Sequence, residues 1–239
     1  WQSGKVLKIE QATPTTRRYW FKAVEQEEFT FRPGQFVTLD LPIDEKPGRR
    51  WRSYSIASWP DGSDVFELII VLLEDGRGTR YIFNEITIGS EFIFRGPLGN
   101  FTLPETLDKN LFLICTGTGV APFRSMVHYI YTHHVSFRNI YLIFGCRRTT
   151  DCLYGLEFRL LEKELPGFRY LPTFSQEHTN EDPMLRKGYV HSIYEEICRN
   201  DLRPAYFYLC GWKNMIDEAK TRILGLGYTR KDIHLELYG

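Results

Sequence analysis

The 239-residue chain contains no C-x-x-C pair, and its five cysteines (Cys115, Cys146, Cys152, Cys198 and Cys210) follow neither zinc nor iron–sulfur spacing. An odd, scattered set argues against a disulfide framework and fits a reducing compartment, so a cytoplasmic location is the expectation. No apolar run approaches the ~20 residues of a spanning helix. The longest, such as Phe66–Leu73, are short and interrupted. Net charge is lacking as well: 30 Lys+Arg balance 30 Asp+Glu, which removes the electrostatic case for nucleic acid. The six histidines show no ligand spacing, and His133-His134 reads as a solvated or capping pair at a helix end, so no metal is expected. The chain opens on Trp1 with no signal-like segment.

What remains is ordinary globular composition, 43% hydrophobic and 25% charged, with length for one or two domains. Aromatics are abundant at 15%. They suit pleated strands, or a planar ligand stacked on rings.

The first hundred residues read as six short strands, at Gly4–Glu10, Thr16–Ala23, Gln35–Leu41, Arg52–Ala57, Val65–Leu73 and Glu91–Arg95. Turn clusters such as Arg32-Pro33-Gly34, Pro60-Asp61-Gly62 and Asp75-Gly76 separate them, and one short helix is expected at Thr79–Asn84. This pattern predicts an antiparallel barrel or sandwich. Near Pro104 the character changes. Leu111–Cys115 is an uninterrupted apolar run, as in a parallel strand buried on both faces. Strands at Ile140–Gly145, Tyr170–Phe174, Tyr206–Cys210 and Ile233–Tyr238 follow, alternating with helices at Pro122–His134, Gly155–Leu165, His191–Arg199 and Asn214–Leu224. Five strands alternating with helices predict a doubly wound parallel sheet, so the domains are expected to be residues 1–104 and 105–239.

Such a sheet binds its ligand beyond the carboxyl ends of its strands. At the first end, Thr116-Gly117-Thr118-Gly119 lets backbone approach a pyrophosphate, and Pro122 suits a helix start whose free N–H groups attract phosphate. The same spacing also suits a plain tight turn. Arg147 and Arg148 stand at the second end and Ser175-Gln176 at the third, as phosphate and ribose ligands or as solvated loop residues. Cys210-Gly211 forms the fourth, where a cysteine is often just a small buried residue. In the first half, alternation puts Arg52, Tyr54 and Ile56 on one strand face and Ser53, Ser55 and Ala57 on the other. Gly76-Arg77-Gly78-Thr79 reads as a phosphate-cradling loop before a short helix, and Gly96-Pro97-Leu98-Gly99 as a compact turn.

Taken in order, Arg52-x-Tyr54-Ser55, Gly76-x-x-Thr79, Gly96-Pro97-x-Gly99-x-Phe101, Gly117-Thr118-Gly119-x-Ala121-Pro122-Phe123 and Cys210-Gly211 resemble the ferredoxin–NADP+ reductase superfamily from about Val6 to Tyr238. Glu236-Leu237-Tyr238 is similar to the plant-type Glu-x-Tyr ending, although Gly239 follows here. The resemblance implies a flavin-binding antiparallel barrel followed by an NAD(P)-binding α/β domain. By this resemblance Arg52 contacts flavin phosphate, Tyr54 packs on the isoalloxazine and Ser55 lies near its N5. Backbone at Gly76, Gly78 and Thr79 holds a pyrophosphate, which favours FAD over FMN. Thr116 to Pro122 meet the nicotinamide dinucleotide; Cys210, Gly211 and Glu236 line the nicotinamide pocket; and Tyr238 stacks on the flavin. Ser55, Cys210, Glu236 and Tyr238 form the catalytic set. Arg147, Ser175, Lys187 and Tyr189 resemble a 2′-phosphate pocket. The plant-type pocket carries Arg after its Ser, where this chain has Gln176, but Arg186 and Lys187 supply nearby cations, so NADPH is expected over NADH. The implied partner is a separate electron carrier, such as ferredoxin, flavodoxin or an oxygenase component. Arg49, Arg50 and Arg80 lie near the flavin motifs, either as a docking face for an acidic carrier or as ordinary surface charge. The alternatives are the reductase component of an oxygenase and a non-catalytic flavin- or nucleotide-binding regulatory subunit.

Overall fold

The computed structural model describes residues 1–177, 185–200 and 203–238, which leaves Gly239 outside the described residues. It divides into two units. The first comprises Trp1–Leu103 with Ala121–Thr132, and the second Pro104–Val120 with the chain from His133 onward.

In the first unit, β1 (Gln2–Thr13) and β2 (Thr16–Ala23) form a hairpin that reverses at Pro14-Thr15. Strands β3 (Phe36–Asp40), β4 (Trp51–Ser55), β5 (Val65–Val71) and β6 (Glu91–Leu98) complete a six-stranded sheet in the order β4-β3-β6-β1-β2-β5. Every pairing is antiparallel. An antiparallel bridge between Ile56 and Leu68 joins its two edges and closes the barrel, which removes exposed strand edges.

Aromatic rings fill the interior. Phe21, Phe29, Phe66, Phe92 and Phe94 are buried, and Phe21–Phe92 and Phe29–Phe66 approach with centroids 4.6 and 4.7 Å apart. Phe92 lies over Gly4, its register partner, where an added Cβ would come 2.3 Å from the ring. Much of the aromatic surplus is therefore barrel core. The short helix α1 (Pro47–Arg50) escaped sequence reading because it is polar and only 4 residues long. The expected helix at Thr79–Asn84 is α2, spanning Arg77–Glu85.

One carboxylate lies inside this unit. Glu67, 2% exposed, accepts Arg18 on both oxygens at 2.6 and 3.0 Å and Arg124 at 2.9 Å. Arg124 sits on helix α3 (Ala121–Thr132) and also donates to the carbonyl of Ala57 at 2.9 Å. A buried carboxylate is tolerated because two guanidiniums compensate it.

The second unit is a parallel sheet in the order β10-β9-β8-β7-β11-β12, from β7 (Leu107–Thr116), β8 (Phe137–Cys146), β9 (Phe168–Phe174), β10 (Arg186–Lys187), β11 (Ala205–Gly211) and β12 (Ile233–Leu237). Its helices are α4 (Gly155–Glu164), α5 (His191–Asn200) and α6 (Lys213–Gly225). Leu111–Cys115 on central β7 is buried throughout, as its unbroken apolar run predicts. The chain winds outward from β7 through β8 and β9, then returns to the other side of β7 as β11 and β12. The strand order reverses between β7 and β11, and sheets of this kind bind ligands beyond the carboxyl ends of the strands at such a switch point. The sixth strand, β10, adds to the five expected. It is an exposed Arg-Lys pair at the sheet edge and carries no hydrophobic signal.

Candidate functional site

In the barrel unit, Arg52, Tyr54 and Ser55 are held on β4 by its antiparallel register with β3: Leu39 faces Arg52, Val37 faces Tyr54 and Phe36 faces Ser55. Ser55 is buried and Tyr54 is half-buried against the barrel core. Burial pushes the Tyr54 phenol above its usual range, opposed by the Arg52 charge, so the ring presents a neutral apolar face. The expected alternation ends at Ser55. Ile56 and Ala57 are both buried, because the chain leaves β4 there and enters the closing bridge.

Helix α2 begins at Arg77, and Gly76 before it offers no side-chain cap to the first turn. The Thr79 hydroxyl folds back onto the loop, accepting from the Leu73 N–H at 3.1 Å. A Cβ on Gly78 would sit 2.9 Å from Arg52 Cγ and 3.0 Å from its Nε. Only glycine lets the Arg52 side chain lie against this turn. Uncapped first-turn N–H groups beside a guanidinium and a bare backbone form a phosphate cradle, and these residues fit the pyrophosphate of a flavin dinucleotide. Gly96 and Gly99 have a packing reason instead, because side chains there would meet Val37 and Phe36 at 2.9 Å.

In the second unit, Thr116 ends β7 and Gly117–Val120 forms a 3-10 turn. Gly119 packs so closely on the tip of β11 that a Cβ would lie 2.4 Å from the Cys210 carbonyl oxygen. Gly211 has φ +139°, and a side chain there would meet Thr116 Oγ1 at 2.4 Å. That oxygen accepts the Trp212 N–H at 3.4 Å. Gly117 has φ +54° with open space beside its Cα, so its backbone is reachable. The two glycine motifs are thus one interlocked surface at the switch point.

Parallel register puts Cys115, Cys210 and Glu236 side by side across β7, β11 and β12. Burial pushes the Cys210 thiol well above its usual range, and the charge of Glu236 adds to this, while a hydrogen bond with Tyr238 opposes it. Cys210 is therefore held as a neutral thiol at the tip of β11. The Tyr238 N–H donates to Gly211 O at 3.4 Å, which ties the end of the described chain to the tip of β11.

The third cluster lies beyond β8, β9 and β10. Ser175 donates its N–H to Cys146 O at 3.0 Å and Gln176 to Arg147 O at 2.9 Å, while Lys187 pairs in register with Phe174. Arg147, Ser175 and Lys187 thus converge on one edge with exposed Tyr189 nearby in the chain. Glu177, next to Gln176, accepts the Thr149 N–H and hydroxyl, each at 3.1 Å. Sequence reading missed this pairing and also the Glu67 clamp. The signal for the clamp was present: Glu67 is a lone charge inside the apolar run Val65–Val71. Among the described residues no His, Cys, Asp and Glu side chains gather as a metal site, and no helix is long and apolar enough to cross a membrane.

A closed barrel with a phosphate cradle and a doubly wound sheet with a glycine-lined switch point define a flavin- and nicotinamide-nucleotide-dependent oxidoreductase. Residues 3–103 match the oxidoreductase FAD-binding domain family and residues 113–221 the oxidoreductase NAD-binding domain family. Ferredoxin–NADP reductase B of Sorangium cellulosum is 30% identical over 98% of this chain and 96% of its own length. The chain belongs to the ferredoxin–NADP+ reductase superfamily. The phenol hydroxylase P5 protein of Acinetobacter pittii is 29% identical over 98% of this chain, which spans only 64% of that longer relative. The crystal structure of an Amycolatopsis cytochrome P450 reductase superposes with a TM-score of 0.85 at 27% identity, covering 99% of this chain and 69% of that one.

Proposed function

We propose that this chain, with residues 1–104 binding FAD and residues 105–239 binding the nicotinamide nucleotide, oxidises NADPH and passes the electrons to a separate ferredoxin- or flavodoxin-type carrier in the cytoplasm. The observation that carries the reading is the row of Cys115, Cys210 and Glu236 beside the interlocked Gly119 and Gly211 and the open Gly117, which would offer a nicotinamide ring a neutral apolar edge, an acid and approachable backbone. Bound flavin supplies the chemistry of a two-electron acceptor that returns electrons singly.

The chain's own residues bind, orient and exclude water. Arg52 and the backbone at Gly76, Gly78 and Thr79 neutralise the flavin pyrophosphate. Tyr54 would cover one face of the flavin ring, and buried Ser55 would hold its hydroxyl at the reactive edge of that ring. Thr116 to Gly119, with Pro122 at the following helix start, receive the nicotinamide pyrophosphate. Cys210 and Gly211 set the depth of the nicotinamide ring, Glu236 holds or relays a proton at that edge, and Tyr238 competes with the ring for its place. Arg147, Ser175, Lys187 and Tyr189 receive the 2′-phosphate, and the engagement of the Glu177 carboxylate by Thr149 supports this by partly offsetting its negative charge. On the barrel unit Arg50 is committed to Asp40 at 2.8 Å, whereas Arg49 and Arg80 are exposed, as an acidic carrier requires.

A second reading, the reductase portion of an oxygenase, is favoured by the likeness to the longer phenol hydroxylase protein. Cytochrome c reduction by NADPH with and without added ferredoxin tests the first reading. Stimulation by ferredoxin supports it; reduction unaffected by ferredoxin or flavodoxin but coupled to an oxygenase component supports the second. A kcat/KM higher for NADH than for NADPH contradicts the 2′-phosphate pocket.

A further inference from the structure

Helix α3 follows directly on the glycine turn of the second unit, yet Ala121–Thr132 groups with the barrel. Its contacts explain why. Arg124 and His128, one helical turn apart, both meet Trp59. The His128 ring stacks on the indole with centroids 3.9 Å apart and planes 8° from parallel, and the Arg124 guanidinium lies 5.3 Å from the indole centre. Phe123 packs on Phe101 at 5.9 Å between centroids. A Cβ at residue 34 would come 2.6 Å from Met126 Cε, so Gly34 lets the helix lie against that turn.

The polar contact is more specific. A single Arg124 nitrogen, Nη1, donates to Glu67 Oε2 and to the carbonyl of Ala57, each at 2.9 Å. The Ala57 N–H donates in turn to the Glu67 carbonyl at 2.8 Å, and Ser58 Oγ accepts the Glu67 N–H at 2.9 Å. Arg124 stands two positions after Pro122, and Ala57 two positions after Ser55. A buried, charge-assisted bond therefore joins the start of α3 to the chain just beyond the end of β4. Arg18 already gives Glu67 a two-point counter-charge from β2, so charge balance alone does not account for Arg124.

We propose that Arg124 and Glu67 are positioning residues for hydride transfer. They fix the helix start at Pro122 to the strand end at Ser55, so that a nicotinamide bound by the first is held at reaction distance from a flavin bound by the second. The inference rests on the proposed assignment of these segments to nucleotide and flavin. Both segments belong to the barrel unit, which makes this bond a direct link between them. Loosening it leaves each ligand its own contacts but lets the reacting rings drift, and drift of this kind costs rate more than affinity.

The test compares the flavin-loaded protein with Arg124→Met and Arg18→Met, well below the Tm of each. Both variants take one guanidinium from Glu67, but only Arg124→Met releases α3. The readouts are the NADP+ Kd from flavin difference spectra, the limiting rate of flavin reduction by NADPH in stopped flow, and amide hydrogen exchange over residues 56–58 and 121–126. Arg124→Met is expected to exchange about tenfold faster over both segments and to reduce its flavin roughly tenfold or more slowly, with a Kd for NADP+ changed by less than about threefold. Arg18→Met is expected to keep the wild-type rate and exchange even with a lowered Tm. Arg124→Lys, which keeps the charge but not the reach, is expected to fall between wild type and Arg124→Met, and it decides the matter if Arg124→Met does not fold. A wild-type rate in Arg124→Met, wild-type rate and exchange in Arg124→Lys, or equal slowing in Arg18→Met overturns the proposal alone. A wild-type flavin that neither NADPH nor NADH reduces overturns the functional reading and this inference with it.

Discussion

At the scale of single residues the account depends on contacts with little slack. Ser55 is buried at the end of β4, and the proposed role of its hydroxyl is a hydrogen bond to the flavin nitrogen. Ser55→Ala is expected to slow flavin reduction roughly tenfold to a hundredfold in stopped flow, with flavin still bound; a rate equal to wild type removes Ser55 from the mechanism. Gly78 lies where a methyl would displace Arg52. Gly78→Ala is expected to weaken flavin retention by ~1.5 kcal/mol, about tenfold in Kd, which equilibrium dialysis measures. Tyr238→Ala, which removes the competing ring, is expected to tighten nicotinamide binding, and an unchanged Kd by fluorescence titration counts against that role.

At the scale of elements, charge inside the barrel unit is the main test. Glu67→Gln preserves shape but leaves Arg18 and Arg124 without their shared counter-charge. The expected cost is about 3–5 kcal/mol, seen as a Tm lower by roughly 10 °C. A shift of only about a degree would show that the clamp contributes little. The elements also show what the sequence made legible. The barrel strands announced themselves through apolar runs cut by turn clusters, and β7 through five consecutive buried apolar residues. β10 and α1 did not, because both are short, exposed and basic, and form through edge pairing and local turns. At the site, the glycine motifs were readable because close approach admits only glycine. The partners that make the motifs necessary, Arg52 over Gly78 and the Cys210 carbonyl over Gly119, lie 26 and 91 positions away in sequence. The pairing of Glu177 with Thr149 depends on the bend after β8, which no local pattern encodes.

At the scale of the whole molecule, the balanced charge of the chain conceals its distribution, and titration follows the buried groups. His191 and His234 are both held below the usual 6.5, chiefly because burial disfavours the cation. The unfolded chain therefore takes up protons first as the pH falls, so these groups lower stability below about pH 6.5 and leave it unaffected above that. Chemical denaturation at pH 7.5 and pH 5.5 should show the loss, and replacing both histidines with glutamine should reduce it. The central claim is that one chain binds flavin and reduces it with a nicotinamide nucleotide. Anaerobic titration of the yellow protein with NADPH tests this most directly. The account predicts stoichiometric bleaching of the flavin absorbance, with NADH less effective; a flavin-loaded protein whose colour persists under excess NADPH and NADH would contradict it and leave only a binding module.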